Sequence, residues 1–157
     1  MADGSGGVST RMHHVAAGDG PCIAYQDQSM NLKLTAAESG GAMTIIEDVI
    51  GPRGGPPLHV HELESEAYYV LEGEFEFTCG DDTVRGGPGT FVHAPRGIPH
   101  RYQNVGATPG RLLFTFCPGG IEAFFVEMGN EKSLDKERVI EIARRHRITV
   151  LAAKTTV

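Results

Sequence analysis

The sequence is poor in cysteine, in long apolar runs and in excess positive charge, and each shortage removes a class of protein. Its three cysteines are Cys22, Cys79 and Cys117, with no CxxC among them. An odd, dispersed set argues against both a disulfide framework and a zinc ribbon. No apolar run approaches the ~18 residues of a membrane-spanning helix, and the first twenty residues lack the apolar segment of a secretory signal. A reducing cytoplasm, away from any membrane, is therefore the expected location. The formal net charge is −6. A phosphate-binding surface needs clustered Lys and Arg, so nucleic acid is not an expected partner. Arg96 and Arg101 read as a solvated rim.

Glycine is plentiful: 21 Gly and 9 Pro in 157 residues mean many tight turns and favour short strands over long helices. A chain of this length suits one domain and buries roughly two-thirds of the surface its unfolded form exposes. Short strands are expected at Cys22–Gln26, Asn31–Thr35, Met43–Ile50, Glu66–Leu71, Phe75–Cys79, Thr83–Arg85, Thr90–Ala94, His100–Asn104 and Arg111–Cys117. Gly-Pro clusters punctuate them, as at Gly54-Gly55-Pro56-Pro57 and Gly86-Gly87-Pro88-Gly89. Strands at this spacing predict an all-β sandwich, barrel or jelly roll, and no long helix intervenes to build a parallel sheet. Phe75 and Phe77 alternate with Glu74 and Glu76, as a half-buried strand requires. Glu72-Gly73 turns into that strand.

The ends differ in character. Residues 1–11 are small and polar and read as a disordered tail; the paired His13 and His14 point opposite ways on a strand and make a poor metal pair. Residues 12–118 form the expected barrel. Residues 119–157 read as a helical extension packed on its outside, a lid or a dimer arm. Within it, Gly119–Met128 is expected to expose Glu122 and pack Phe124 or Phe125. Ser133–Arg147 forms an amphipathic helix capped by Ser133, with Arg144, Arg145 and Arg147 in its last turn.

Two blocks carry chemistry. The first is H-x-H-x4-E-x6-G, formed by His59, His61, Glu66 and Gly73. His59 and His61 stand two apart, so on a strand both imidazoles face one way. The second is G-x5-P-x-G-x2-H-x3-N, formed by Gly89, Pro95, Gly97, His100 and Asn104. Three neutral imidazoles and one carboxylate suit a divalent Fe, Mn, Ni, Co or Zn ion. An ion that takes five or six ligands keeps positions open there, as a catalytic site requires. His93 lies outside both blocks and reads as an outward residue. Glu62, Glu64, Glu72 and Glu76 read as solvated charges.

Together the two blocks resemble the paired motifs of the cupin superfamily, over residues 54–104. One departure stands at Arg53, where the family's first motif usually opens with Gly; Gly54 and Gly55 follow, so the loop entering the ligand strand is expected to shift. The resemblance implies a double-stranded β-helix and assigns His59, His61, Glu66 and His100 as ligands of one metal ion.

In such a barrel the pocket is lined by inward positions of the same strands. Parity places Tyr68, Val70 and Tyr102 inward, with Phe75, Phe77, Leu112, Phe114 and Phe116. Ile45, with Met43 and Val49, is placed on the far wall, although both faces of that strand are apolar. Plain core packing is the alternative for each aromatic. An apolar pocket beside an open metal suits a small aromatic or enolic substrate rather than a sugar phosphate.

The spacing, the Gly40-Gly41 pair and the helical tail are similar to those of quercetin 2,3-dioxygenase-like cupins. That likeness implies O2-dependent cleavage of a flavonol- or polyketide-like molecule, with Glu66 doubling as ligand and proton acceptor, Tyr68 or Tyr102 orienting the substrate, and a homodimer. Two alternatives stay open: a metal-dependent isomerase, cyclase or decarboxylase, and a cupin that binds a small molecule without turnover.

Overall fold

Alternation of apolar and polar residues translates directly into paired strands in the computed structural model, which describes residues 11–25 and 28–151. The elements run β1 (Cys22–Tyr25), β2 (Gln28–Leu34), α1 (Ala36–Ser39), β3 (Thr44–Ile50), β4 (His59–His61), β5 (Ser65–Glu72), β6 (Phe75–Cys79), β7 (Asp82–Gly86), β8 (Phe91–Ala94), β9 (His100–Asn104), β10 (Gly110–Cys117), α2 (Glu122–Asn130), α3 (Lys136–Arg145) and β11 (Ile148–Val150). One sheet has the order β1-β2-β3-β10-β5-β8 and the other β11-β4-β9-β6-β7. Every pairing among them is antiparallel. This is the double-stranded β-helix the sequence predicts. The expected tail, 1–11, lies outside the described residues except for Arg11.

The core sits between the sheets and is aromatic. Tyr68, Phe75, Phe77, Phe114 and Phe116 are all buried. Tyr68 packs on Phe77 at 5.2 Å and on Phe114 at 5.5 Å between ring centroids. Each such side chain contributes about 1.5–3 kcal/mol by leaving water. The period of two holds on β3 as well, but in the opposite parity to that expected: Thr44, Ile46, Asp48 and Ile50 are buried, whereas Ile45 is only half-buried and Val49 is exposed. Ile45 therefore faces away from the pocket. Apolar residues fall on both faces of that strand, so hydrophobicity alone carried no parity signal.

The C-terminal segment departs furthest from expectation. It is helical, but it does not stay outside the barrel. After α3 the chain turns through Arg147 at φ 61° and returns as β11, which pairs with the ligand strand: Ile148 lies opposite His61 and Val150 opposite His59. Asp135, not Ser133, caps α3, its carboxylate accepting from the Arg138 amide at 2.8 Å. Glu122 is not exposed either. Its carboxylate accepts from the Ala36 amide at 2.7 Å and from the Thr44 hydroxyl, tying α2 to α1 and β3. The short α1 was not foreseen; a capping box of Thr35 and Glu38 starts it.

The loop entering the ligand strand is tied to β9. Arg53 itself takes the left-handed conformation, at φ 64°, and its amide donates to the Asn104 carbonyl at 2.9 Å. Two residues on, Gly55 passes so close to β9 that a Cβ would stand 2.1 Å from the Tyr102 carbonyl oxygen. A left-handed non-glycine residue costs roughly 1–2 kcal/mol, part of which glycine returns through its freer unfolded chain. Arg53→Gly should therefore stabilise the fold by about 0.5–1 kcal/mol in urea unfolding; a loss of stability would show that Arg53 carries no strain.

Candidate metal centre

Two strands of one sheet and one strand of the other bring four polar side chains into the apolar interior. His59 and His61 come from β4, His100 from β9 and Glu66 from β5. The two motif strands meet in register, His59 opposite His100. All four side chains are buried, and one nitrogen or oxygen from each lies within 4.8 Å of the others. His59 Nε2 is 3.1 Å from His61 Nε2, and His100 Nε2 is 3.0 Å from a Glu66 oxygen. Ligand atoms at right angles on an ion with ~2.1 Å bonds would stand about 3 Å apart, so the spacing fits a transition metal.

The backbone selects which nitrogen points inward. His59 Nδ1 donates to the Pro57 carbonyl at 2.9 Å and His100 Nδ1 to the Ile98 carbonyl at 2.7 Å. Both bonds hold the Nδ1–H tautomer and leave the Nε2 lone pair free to ligate. His61 Nδ1 faces Glu64 Oε2 at 3.5 Å, and neither atom has another partner. Glu64 is thus a buried companion of the site, not the solvated charge expected of it. The other acids named with it, Glu62 and Glu72, are exposed and Glu76 is half-buried; His93 is exposed, as expected.

Burial and charge act against one another here. Burial holds His59 down to about 4, against the pull of Glu66. For Glu66, burial pushes the carboxyl up, but the His100 hydrogen bond and the three imidazoles outweigh it and hold it below its ordinary value. His100 is pushed down by burial and raised, in net, by its bond to Glu66. The arrangement is an ionised carboxylate amid imidazoles, with burial holding His59 in the neutral form that a metal ion needs.

Three of the four, His59, His61 and Glu66, line a cavity of about 190 Å³. Of the expected pocket residues, Tyr102, Phe114 and Phe116 line it. Tyr68, Val70, Phe75 and Phe77 are buried but pack in the aromatic core rather than on that wall. Burial raises the Tyr68 hydroxyl well above its ordinary value, with Glu66 adding to the rise. On the far side the wall is completed by residues the sequence did not point to: Gln28, Met30 and Asp48, then Phe124 and Phe125 of α2, Val139 and Ala143 of α3, and Ile148 and Val150 of β11. The signal for the last two was there in the β-branched run Ile148-Thr149-Val150, but three residues are too few to separate a strand from a helix end.

Comparison with known proteins agrees with this geometry. The family described as "Cupin domain" matches residues 47–116, a span holding all four clustered side chains. A solved RmlC-like cupin from Shewanella frigidimarina superposes with a TM-score of 0.60 at 16% identity, covering 72% of this chain and 96% of that one.

Residues 47–116 carry a cupin domain.

The chain is 25% identical over 115 residues to quercetin 2,3-dioxygenase of Bacillus subtilis, covering 73% of its own length but only 34% of that enzyme's. The chain thus spans about a third of that relative. It is also 27% identical to a solved protein described as a predicted oxalate decarboxylase from Thermotoga maritima, with a TM-score of 0.54, covering 58% of this chain and 80% of that one. No helix among the described residues is long and apolar enough to cross a membrane.

Proposed function

We propose that this protein is a metal-dependent dioxygenase acting on a small aromatic or enolic molecule, flavonol- or polyketide-like in its chemistry. One observation carries the reading: the four ligand atoms converge, and three of their residues line a cavity whose remaining wall is mostly aromatic and aliphatic, with Gln28 and Asp48 as its polar members. A sugar phosphate would find no cationic side chain among the lining residues. The likeness to quercetin 2,3-dioxygenase supports the same reading.

When bound to these donors, a divalent Fe, Mn, Ni, Co or Zn ion supplies Lewis-acid polarisation of a substrate oxygen and, where redox-active, reactivity toward O2. The protein's own residues do the rest. Glu66, kept ionised by His100 and its neighbours, is placed to take the proton of an enol or phenol. Phe114 and Phe116, 6.2 Å apart and nearly parallel, offer a flat apolar surface to a ring. Phe124, Phe125 and Ile148 make the far side of the cavity apolar.

The test is O2 uptake by metal-loaded protein across a panel of flavonols and other enolisable aromatics. The expected result is consumption of one O2 per substrate cleaved. Turnover that proceeds equally well without O2 would sink this reading in favour of a non-redox isomerase, cyclase or decarboxylase, for which the likeness to the Thermotoga protein speaks.

A further inference from the structure

Asp48 is the anomaly of the cavity wall. It is fully buried, it lines the same cavity as His59, His61 and Glu66, and neither carboxyl oxygen has a hydrogen-bond partner among the described residues. Leaving a buried carboxyl unpaired is costly, and buried polar groups are almost always satisfied. Its neighbour Glu47 takes the cations on the outer face, standing 3.6 Å from both Lys33 and Arg111. Among the described residues Asp48 has no ion pair. Gln28, Met30, Ile46 and Phe114 share its stretch of wall, and none is charged.

Register fixes where it stands. Asp48 lies opposite Leu112 on β10, while Glu66 lies opposite Phe116 on the other side of that strand. The two carboxyls are therefore separated by four residues along the strand direction, about 13 Å, and by two strand spacings, about 10 Å, across it.

We propose that Asp48 is a specificity-determining residue: it receives a hydroxyl group carried at the end of the substrate remote from the His59, His61, Glu66 and His100 cluster. The inference rests on the reading of the cavity as a site for a small aromatic molecule. A hydroxyl is the fitting partner because it both donates to and accepts from a carboxyl, and it brings no second charge into an apolar wall. The carboxyl, raised by burial to about 7, is available in either form near neutral pH.

The experiment uses phenol and anisole, which share an aryl oxygen but differ in the ability to donate a hydrogen bond. Binding to zinc-loaded protein is followed through the carboxyl carbon of Asp48 by NMR, with 13C-labelled aspartate. Phenol should move that signal and bind about tenfold or more tightly than anisole. The preference should vanish in Asp48→Leu and be weakened in Asp48→Asn, which keeps one acceptor. Equal binding of the two probes to wild-type protein, or an Asp48 signal that phenol leaves unmoved, would overturn the assignment. Benzylammonium binding more tightly than phenol would also overturn it, because the remote group would then be a cation. These outcomes need no turnover, so a failed O2-uptake assay with an intact phenol response would sink the dioxygenase reading alone.

Discussion

Asp48→Leu stabilises the protein at pH 8 by about 2–4 kcal/mol and by much less at pH 4. The sign follows from where the group titrates. In the fold its carboxyl is raised by burial from 3.8 to about 7, with the Val49 amide working the other way. Below about pH 4 the acid is protonated in folded and unfolded chains alike, and it costs little. Between about 4 and 7 the unfolded chain gives up the proton while the folded chain keeps it, so stability falls as pH rises. Above about 7 the full penalty is present, a three-unit shift being worth about 4 kcal/mol at most. Leucine, close to aspartate in size, removes that penalty and adds apolar contact with Met30 and Phe114. At about 2–4 °C per kcal/mol, the midpoint of thermal unfolding at pH 8 should rise by about 5–15 °C. A thermal scan at both pH values decides it. An Asp48→Leu variant less stable than wild type at pH 8 would mean that the carboxyl is satisfied in solution.

Metal loading raises the unfolding midpoint by a similar amount, and the gain disappears in Glu66→Gln. Binding only the folded chain stabilises it by about 4 kcal/mol when the free ion is at a thousandfold its dissociation constant, which corresponds to about 8–16 °C. The ligand atoms meet only because β4, β5 and β9 fold together, so the unfolded chain cannot offer the same set. Glutamine keeps the size of Glu66 and its hydrogen bond with His100 but loses the charge. A metal-induced rise unchanged in Glu66→Gln would place the ion elsewhere.

The metal-site residues were legible because strand geometry is simple. Two histidines two apart on a strand share a face, and Pro95 and Gly97 set up the turn before His100. The aromatic alternation at Phe75 and Phe77, and at Phe114 and Phe116, was legible for the same reason. The residues that were misread mark where one-dimensional pattern stops. Ile45 sits in a strand apolar on both faces, so parity had to come from three-dimensional pairing. The adjacent acids Glu47 and Asp48 did hold a usable signal, since in a strand with two covered faces one of them must turn inward. Glu64 read as solvent-facing because its value lies in a contact with His61, which no spacing rule reports. The C-terminal return as β11 was hidden by its length. Arg53 shows the reverse case: where the resemblance led to the expectation of glycine, an arginine takes the left-handed conformation that glycine favours, and no pattern in the sequence reports that.

The central claim is that His59, His61, Glu66 and His100 hold one metal ion between the sheets. Its most direct test is metal analysis, by mass spectrometry, of the natively purified protein beside His61→Ala. The account predicts about one divalent transition-metal ion per wild-type chain and less than about a tenth of that in the variant. Equal metal content in the two proteins would contradict it.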